Sequence, residues 1–137
     1  MLVLSLGIAA APQGAALAQP VEYWAQTYGG NGVDYASSAR QTSDGGYIVA
    51  GSTSSFGAGG DDFGVIKLTS AGDIEWQKTY GGEGADYAYS IQQTSDGGYI
   101  LAGETSSSGV GESDLWVLKL NSIGDIQWQK TYGGEFD

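Results

Sequence analysis

Residues 42–55 read TSDGGYIVAGSTSS, and residues 94–107 read TSDGGYILAGETSS. In both stretches an Asp-Gly pair precedes a run that favours a β-strand, which is typical of a tight hairpin. The two stretches lie 52 residues apart, and the similarity continues on either side of them. Aligned without a gap, residues 27–78 and 79–130 are identical at 35 of 52 positions. The sequence therefore predicts two copies of one structural unit.

Each unit contains four strand-like runs, separated by short turns and one longer Ser/Gly loop. In the first unit the runs are Tyr35–Gln41, Tyr47–Thr53, Phe63–Thr69 and Ile74–Tyr80. The second and third runs are almost continuously apolar, as expected for strands that are buried on both faces. After the N-terminal region no apolar period of 3.6 residues persists for two turns, so helices are not predicted. We therefore expect an all-β fold in which each unit forms a four-stranded antiparallel sheet.

The consensus TSDGGYI-AG-TSS, followed by D--V-KL and W-K-TYGG, resembles the tandem propeller-type repeats of secreted and surface proteins of bacteria and archaea. These repeats are kelch-like in style, and the resemblance covers about residues 21–137. It implies that each unit is a blade of a β-propeller. It also implies a binding or spacer role, although such a fold does not by itself determine a function.

The number of units is small for a propeller, which typically has four to eight blades. The predicted organisation is the last strand of a preceding repeat at residues 19–26, blades at 27–78 and 79–130, and a truncated third repeat at 131–137. Two blades alone would leave two apolar faces exposed to water. Three explanations stay open: a fragment of a longer propeller, a homo-oligomer that closes a ring, or a small two-sheet sandwich.

The N-terminus, residues 1–18, reads MLVLSLGIAAAPQGAALA and has the features of a signal peptide. Its apolar stretch is too short to span a bilayer, and Ala16-Leu17-Ala18 supplies a small-x-small cleavage pattern. No Lys or Arg precedes the apolar stretch, so we expect that the positively charged n-region is truncated. The sequence predicts a secreted or cell-surface protein with no membrane insertion after signal removal.

Composition excludes several kinds of chemistry. The net charge of −11, from 16 acidic and five basic residues, disfavours nucleic acids and anionic membranes as partners. The chain has neither Cys nor His, so it lacks disulfides, thiol nucleophiles and the commonest general base. We predict no catalytic residues and a protein that is not an enzyme.

Two Gly-rich turns give a weak indication of calcium. Gly29–Asp34 and Gly81–Asp86 both match GGxGxD, which opens the calcium-binding nonapeptide of β-rolls. In β-rolls the nonapeptides follow one another directly, whereas here they lie 52 residues apart. Ca²⁺ requires six to eight oxygen ligands, which one isolated turn does not supply. We therefore expect Asp34 and Asp86 to cap backbone turns, with Ca²⁺ ligation as the alternative and no other cofactor.

Candidate ligand-binding residues lie in the long loops and at positions that differ between the units. The candidates are Phe56, Asp61, Asp62, Glu112, Asp114 and Trp116. Loops carry function on rigid scaffolds, and Phe56 and Trp116 stand where the other unit has Ser108 and Gly64. Tyr89 differs in the same way from Ser37. A pair of acidic residues ends the long loop in each unit, and this recurrence argues against a single asymmetric catalytic pair.

These observations predict an exported scaffold for binding, adhesion or display, with no catalysis of its own. Its partner would be a protein or glycan at a surface, recognised through the Ser/Gly loops at one end of the blades. The alternatives are a lectin or a fragment of a carbohydrate-active propeller enzyme, and a purely structural spacer.

Overall fold

A computed structural model describes residues 24–135 of the chain. Within that range the chain forms eight β-strands and no helix, which confirms the all-β prediction. The described part accordingly contains no helix long and apolar enough to cross a membrane. The predicted signal peptide at 1–18, and most of the predicted strand at 19–26, lie outside the described residues. The strands are β1 (Asp34–Gln41), β2 (Tyr47–Thr53), β3 (Asp62–Leu68), β4 (Ile74–Tyr80), β5 (Asp86–Gln93), β6 (Tyr99–Thr105), β7 (Asp114–Leu120) and β8 (Ile126–Tyr132).

The strands form two four-stranded antiparallel sheets, each a simple meander. Sheet 1 has the order β1-β2-β3-β4, and sheet 2 has the order β5-β6-β7-β8. The registers repeat: Asp34 pairs with Thr53 in sheet 1, and Asp86 pairs with Thr105 in sheet 2. The first strand of each sheet also carries a bulge at the same place. The predicted four-stranded sheet of each unit is therefore confirmed.

The Asp-Gly turns form because their own side chains and glycines satisfy the local backbone. Asp44 Oδ1 accepts hydrogen bonds from Gly46 N at 2.9 Å and from Thr42 Oγ1 at 2.5 Å. Gly45 has a φ of 84°, a conformation that glycine adopts without steric cost. The Thr42 hydroxyl, together with the buried Lys67 ammonium 2.9 Å from Asp44 Oδ2, holds the pKa of Asp44 well below its usual range. The second unit repeats this turn around Asp96.

The sheets are offset slightly from the sequence units. Sheet 1 runs from Asp34 to Tyr80, and sheet 2 runs from Asp86 to Tyr132. Thr79 and Tyr80, which open the second sequence unit, therefore complete the first sheet. The offset means that the Gly-rich residues 81–85 form the connection between the sheets.

The core lies between the two sheets, which pack face to face. Phe63 in β3 and Trp116 in β7 have ring centroids 4.7 Å apart, and both side chains are buried. Successive residues of a strand alternate between faces, so Phe63 and Trp116 identify the inner face of each sheet. The buried hydrophobic residues of this core are Ile48, Ala50, Phe63, Val65 and Tyr80 in sheet 1, and Ala88, Ile91, Tyr99, Leu101, Trp116, Leu118 and Leu120 in sheet 2.

Polar contacts from β4 fix the position of sheet 1 on sheet 2. Tyr80 Oη donates a hydrogen bond to Gly124 O at 2.6 Å. The ring of Trp76 lies 5.9 Å from the ring of Tyr99, edge to face. Lys78 Nζ adds an ion pair of 2.5 Å with Asp125 Oδ1. Together these contacts set the fourth strand of one sheet against the turn that joins the third and fourth strands of the next.

Residues 24–28 repeat these contacts against sheet 1, although they belong to neither sheet. Tyr28 Oη donates to Gly72 O at 2.6 Å, as Tyr80 Oη does to the carbonyl 52 residues further on. The ring of Trp24 lies 5.9 Å from that of Tyr47, also edge to face. The segment therefore occupies the place on sheet 1 that β4 occupies on sheet 2.

Candidate functional site

The two ends of the sheets have different connections. At one end, which we call the hairpin end, short turns join β1 to β2, β3 to β4 and their counterparts in sheet 2. At the opposite end lie four longer Gly- and Ser-rich segments, residues 29–33, 54–61, 81–85 and 106–113. We call this the loop end. The predicted ligand-binding loops and the two predicted calcium turns all lie there.

The first predicted calcium residue, Asp34, organises the loop end of sheet 1. Its Oδ2 accepts hydrogen bonds from Ser55 Oγ at 2.6 Å and Gly30 N at 3.1 Å. Its Oδ1 accepts a hydrogen bond from Thr53 Oγ1. These donors, Ser55 foremost, lower the pKa of Asp34. The carboxylate therefore ties the Gly-rich turn to the long loop.

The second predicted calcium residue, Asp86, has the same place in sheet 2. Its Oδ2 accepts hydrogen bonds from Ser107 Oγ at 2.6 Å and Gly82 N at 3.0 Å. Its Oδ1 is buried and has no hydrogen-bond partner. Over residues 24–135, no three or more acidic side chains converge in a way that could hold a metal ion. As arranged, both residues bind backbone and hydroxyl donors within the loops.

Asp62, a predicted ligand-binding residue, is 1% exposed and faces Asp86 across the seam between the sheets. A Cβ added to Gly81 would overlap Asp62 Oδ1 and would lie 2.6 Å from Asp86 Oδ2, so both carboxylates crowd this glycine. Burial raises the pKa of Asp62, and the nearby charges of Asp86 and Asp61 add to the effect. Asp62 Oδ2 accepts a hydrogen bond from Ala58 N at 2.8 Å. The pair lies inside the seam, away from a ligand in solvent.

The remaining predicted residues separate into buried and exposed ones. Asp114 is buried, and its Oδ2 accepts a hydrogen bond from Val110 N at 2.6 Å. Trp116 is 5% exposed and packs on Phe63, so its side chain belongs to the core. Phe56 and Glu112 are exposed in the two long loops. Of the predicted residues, Phe56, Glu112 and Asp61 therefore offer groups to a ligand at the loop end.

A cluster that the sequence did not assemble starts where the two sheets meet at this end and extends onto the outer face of sheet 2, where Glu104 pairs with Leu115. Tyr87 Oη donates a hydrogen bond of 3.0 Å to Asp61 Oδ2, across the seam. Tyr87 pairs with Glu104 in the β5–β6 register, and Tyr89 occupies the adjacent bulge. The Asp61 carboxylate raises the pKa of Tyr87, and the Glu104 carboxylate raises the pKa of Tyr89 to about 12. We call these four residues, Asp61, Tyr87, Tyr89 and Glu104, the tyrosine–carboxylate cluster.

The cluster is specific to the seam and to sheet 2. In sheet 1 the positions of Tyr89 and Glu104 are held by Ser37 and Ser52. Tyr89 is 55% exposed, so its ring is accessible from solvent. The cluster offers aromatic faces beside carboxylate oxygens, an arrangement that suits sugar hydroxyls or cationic groups better than anions. The sequence did contain a signal for Glu104: Tyr89 and Glu104 both replace serines of the first unit, so the two positions change together.

A second concave feature lies on the outer face of sheet 1. It is a groove of about 760 Å³, with Val49, Gly51, Gly64 and Ile66 among the residues of its floor. Tyr28 and the loop residue Phe56 also line the groove. The groove thus runs beside residues 24–28, the segment that takes the place of β4 on sheet 1.

No protein family matches the chain, and no curated protein matches it either.

Proposed function

We propose that the chain is an exported scaffold of propeller-type blades that binds a protein or glycan ligand at its loop end. The observation that carries this proposal is the contrast between framework and surface. The two sheets share their registers, turns and loop-fixing carboxylates, yet they differ at exposed loop-end positions such as Phe56/Ser108 and Tyr89/Ser37. Variation on a constant framework is the usual way in which a scaffold acquires a binding site.

The blade interpretation is supported by the stacking of consecutive units. β4 packs on sheet 2 through Trp76 and Tyr80, and residues 24–28 pack on sheet 1 through Trp24 and Tyr28. Two successive units thus use one mode of contact, as propeller blades do. Closure of a ring is part of this proposal.

The ligand class follows from the charge and chemistry of the loop end. A net charge of −11 repels polyanions, so the ligand is neutral or basic. Tyr87 and Tyr89 provide rings for stacking, while Asp61 and Glu104 accept hydrogen bonds from hydroxyl or ammonium groups. We assign no catalytic step to the acids, because Asp34, Asp62, Asp86 and Asp114 accept hydrogen bonds that hold the loops. Export rests on the signal-peptide pattern of residues 1–18.

The proposal is tested by exchanging residues between the units. The variant Tyr89→Ser/Glu104→Ser places in sheet 2 the residues that sheet 1 already carries, so the fold should be retained. On an array of neutral and basic glycans and peptides, we expect this variant to lose at least tenfold in affinity for any ligand that the wild type binds. The matched control, Val110→Ala, also introduces the residue of the other unit, but outside the cluster. An equal loss of affinity in both variants would contradict a ligand-binding role for the cluster. If the wild type binds nothing on the array, the result supports the spacer alternative.

A further inference from the structure

Among residues 24–135 each sheet has an outer apolar face that is not fully covered. Face A is the outer face of sheet 1 and contains the floor of the groove, with Val49, Gly64 and Ile66. Face B is the outer face of sheet 2, where Leu115, Trp128 and Tyr132 are 51%, 44% and 55% exposed. Exposed aromatic and aliphatic residues in one continuous patch usually mark an interaction surface.

The two faces are complementary because they are the counterparts of faces that already pack together. Adding 52 to the residues of the inner face of sheet 1 gives face B: Phe63, Trp76 and Tyr80 become Leu115, Trp128 and Tyr132. Subtracting 52 from the inner face of sheet 2 gives face A in the same way, so Leu101 and Leu118 become Val49 and Ile66. The contact between sheets 1 and 2 is thus a template for face B docking on face A.

We propose that face B of one copy of this chain docks head-to-tail on face A of a second copy. The contacts that β4 makes in the template have counterparts. Tyr132 Oη would donate to Gly72 O as Tyr80 Oη does to Gly124 O, and Trp128 would pack on Tyr47 as Trp76 does on Tyr99. Lys130 would pair with Asp73 as Lys78 pairs with Asp125. A contact between two different faces is heterologous, so it propagates or closes into a ring.

Residues 24–28 compete for half of face A. Tyr28 Oη already donates to Gly72 O, and Trp24 already packs on Tyr47. The segment therefore holds the places that Tyr132 and Trp128 of a second copy would take. Docking requires the segment to move aside, which makes association of the intact chain weaker than the template contact.

The contact between copies also lacks one aromatic pair. Where the template has Phe63 against Trp116, the second copy would bring Leu115 against Gly64. The smaller pair leaves part of the groove unfilled, which lowers affinity further. A net charge of −11 on each copy adds long-range repulsion that salt screens.

The first test uses two variants of the full chain, studied by sedimentation velocity at about 0.3 M NaCl to screen the charge. Val49→Asp blocks face A, and Leu115→Asp blocks face B; far-UV circular dichroism confirms that each remains folded. We expect each variant alone to be monomeric at concentrations where the wild type associates. Mixed together, they should form a 1:1 dimer and nothing larger, because one intact face A and one intact face B remain.

The second test removes the competitor and restores the missing pair. Trp24→Ala/Tyr28→Ala should tighten association at least threefold, and Gly64→Trp/Leu115→Phe should tighten it at least tenfold by recreating the Phe63–Trp116 contact between copies. A mixture of blocked variants that stays monomeric overturns the proposal. So does a chain that stays monomeric after both tightening changes. Both readouts measure self-association without a loop-end ligand, so a negative result removes ring closure between copies and leaves ligand binding to be decided by the array of glycans and peptides. Glu104 pairs with Leu115 on face B, so Glu104 would be covered in the docked state.

Discussion

Replacing Trp116 with alanine should lower the free energy of unfolding by about 3–5 kcal/mol. The indole is only 5% exposed and lies between the sheets, with its ring 4.7 Å from that of Phe63 at an interplanar angle of 54°. Its removal exchanges a large buried aromatic surface, of about 150–250 Å² in general, for a cavity. The ring pair itself accounts for about 0.5–1.5 kcal/mol of the loss.

Urea unfolding followed by far-UV circular dichroism measures this loss. With a slope of about 1–3 kcal/mol per M for a small domain, the midpoint should fall by at least about 1 M. The matched control is Trp128→Ala, because Trp128 is the same residue type on the outer face of sheet 2 and is 44% exposed. That variant should lose less than about 1 kcal/mol. Equal losses in the two variants would refute the assignment of Trp116 to the core.

Three further predictions concern the seam and the turns. Tyr80→Phe should lower the free energy of unfolding by about 1–3 kcal/mol, because the buried carbonyl of Gly124 loses its hydrogen-bond donor. Tyr28→Phe is the control, and it should have a smaller effect in the same urea titration because the segment that carries Tyr28 packs at the edge of the fold. Asp62→Asn should raise the unfolding midpoint at pH 7 by removing a buried charge. The pKa of Asp62 is raised in the folded state, so its charge destabilises the fold increasingly as pH rises above the pKa of an unfolded carboxyl group. The gain from Asp62→Asn should therefore vanish below about pH 4. Gly45→Ala should lower the free energy of unfolding by about 1–2 kcal/mol, measured by thermal unfolding. The loss comes from the φ of 84° alone, because no atom beyond the adjacent residues lies within 4 Å of the added Cβ.

The strands and hairpins were predictable because their signals are local. An Asp-Gly pair such as Asp44-Gly45 supplies both a side-chain acceptor and a positive φ, whatever the rest of the fold does. The repeat then doubles each signal, so the strand bounds of sheet 1 were placed within one residue. Export, ring closure and the ligand stay predictions.

The residues at the seam were harder to predict, because their environment depends on how one sheet stacks on another. Trp116 differs between the units, which suggested a ligand-binding role, yet its side chain fills space opposite Phe63. Asp61 and Tyr87 belong to different units and meet only through stacking. A substitution between copies therefore indicates either a binding surface or a seam, and the sequence alone does not distinguish the two.

Residues 24–28 pack on sheet 1 as β4 packs on sheet 2, and this equivalence affects how such chains can change in length during evolution. Because the boundary between neighbours is built from the same positions each time, duplication or deletion of one 52-residue segment adds or removes a complete boundary, which differs from the existing one at exchanged positions such as Phe63/Leu115 and Gly64/Trp116. Unequal recombination within the gene would thus yield foldable products at once. Each added segment should contribute a nearly constant increment to stability, as in other linear arrays.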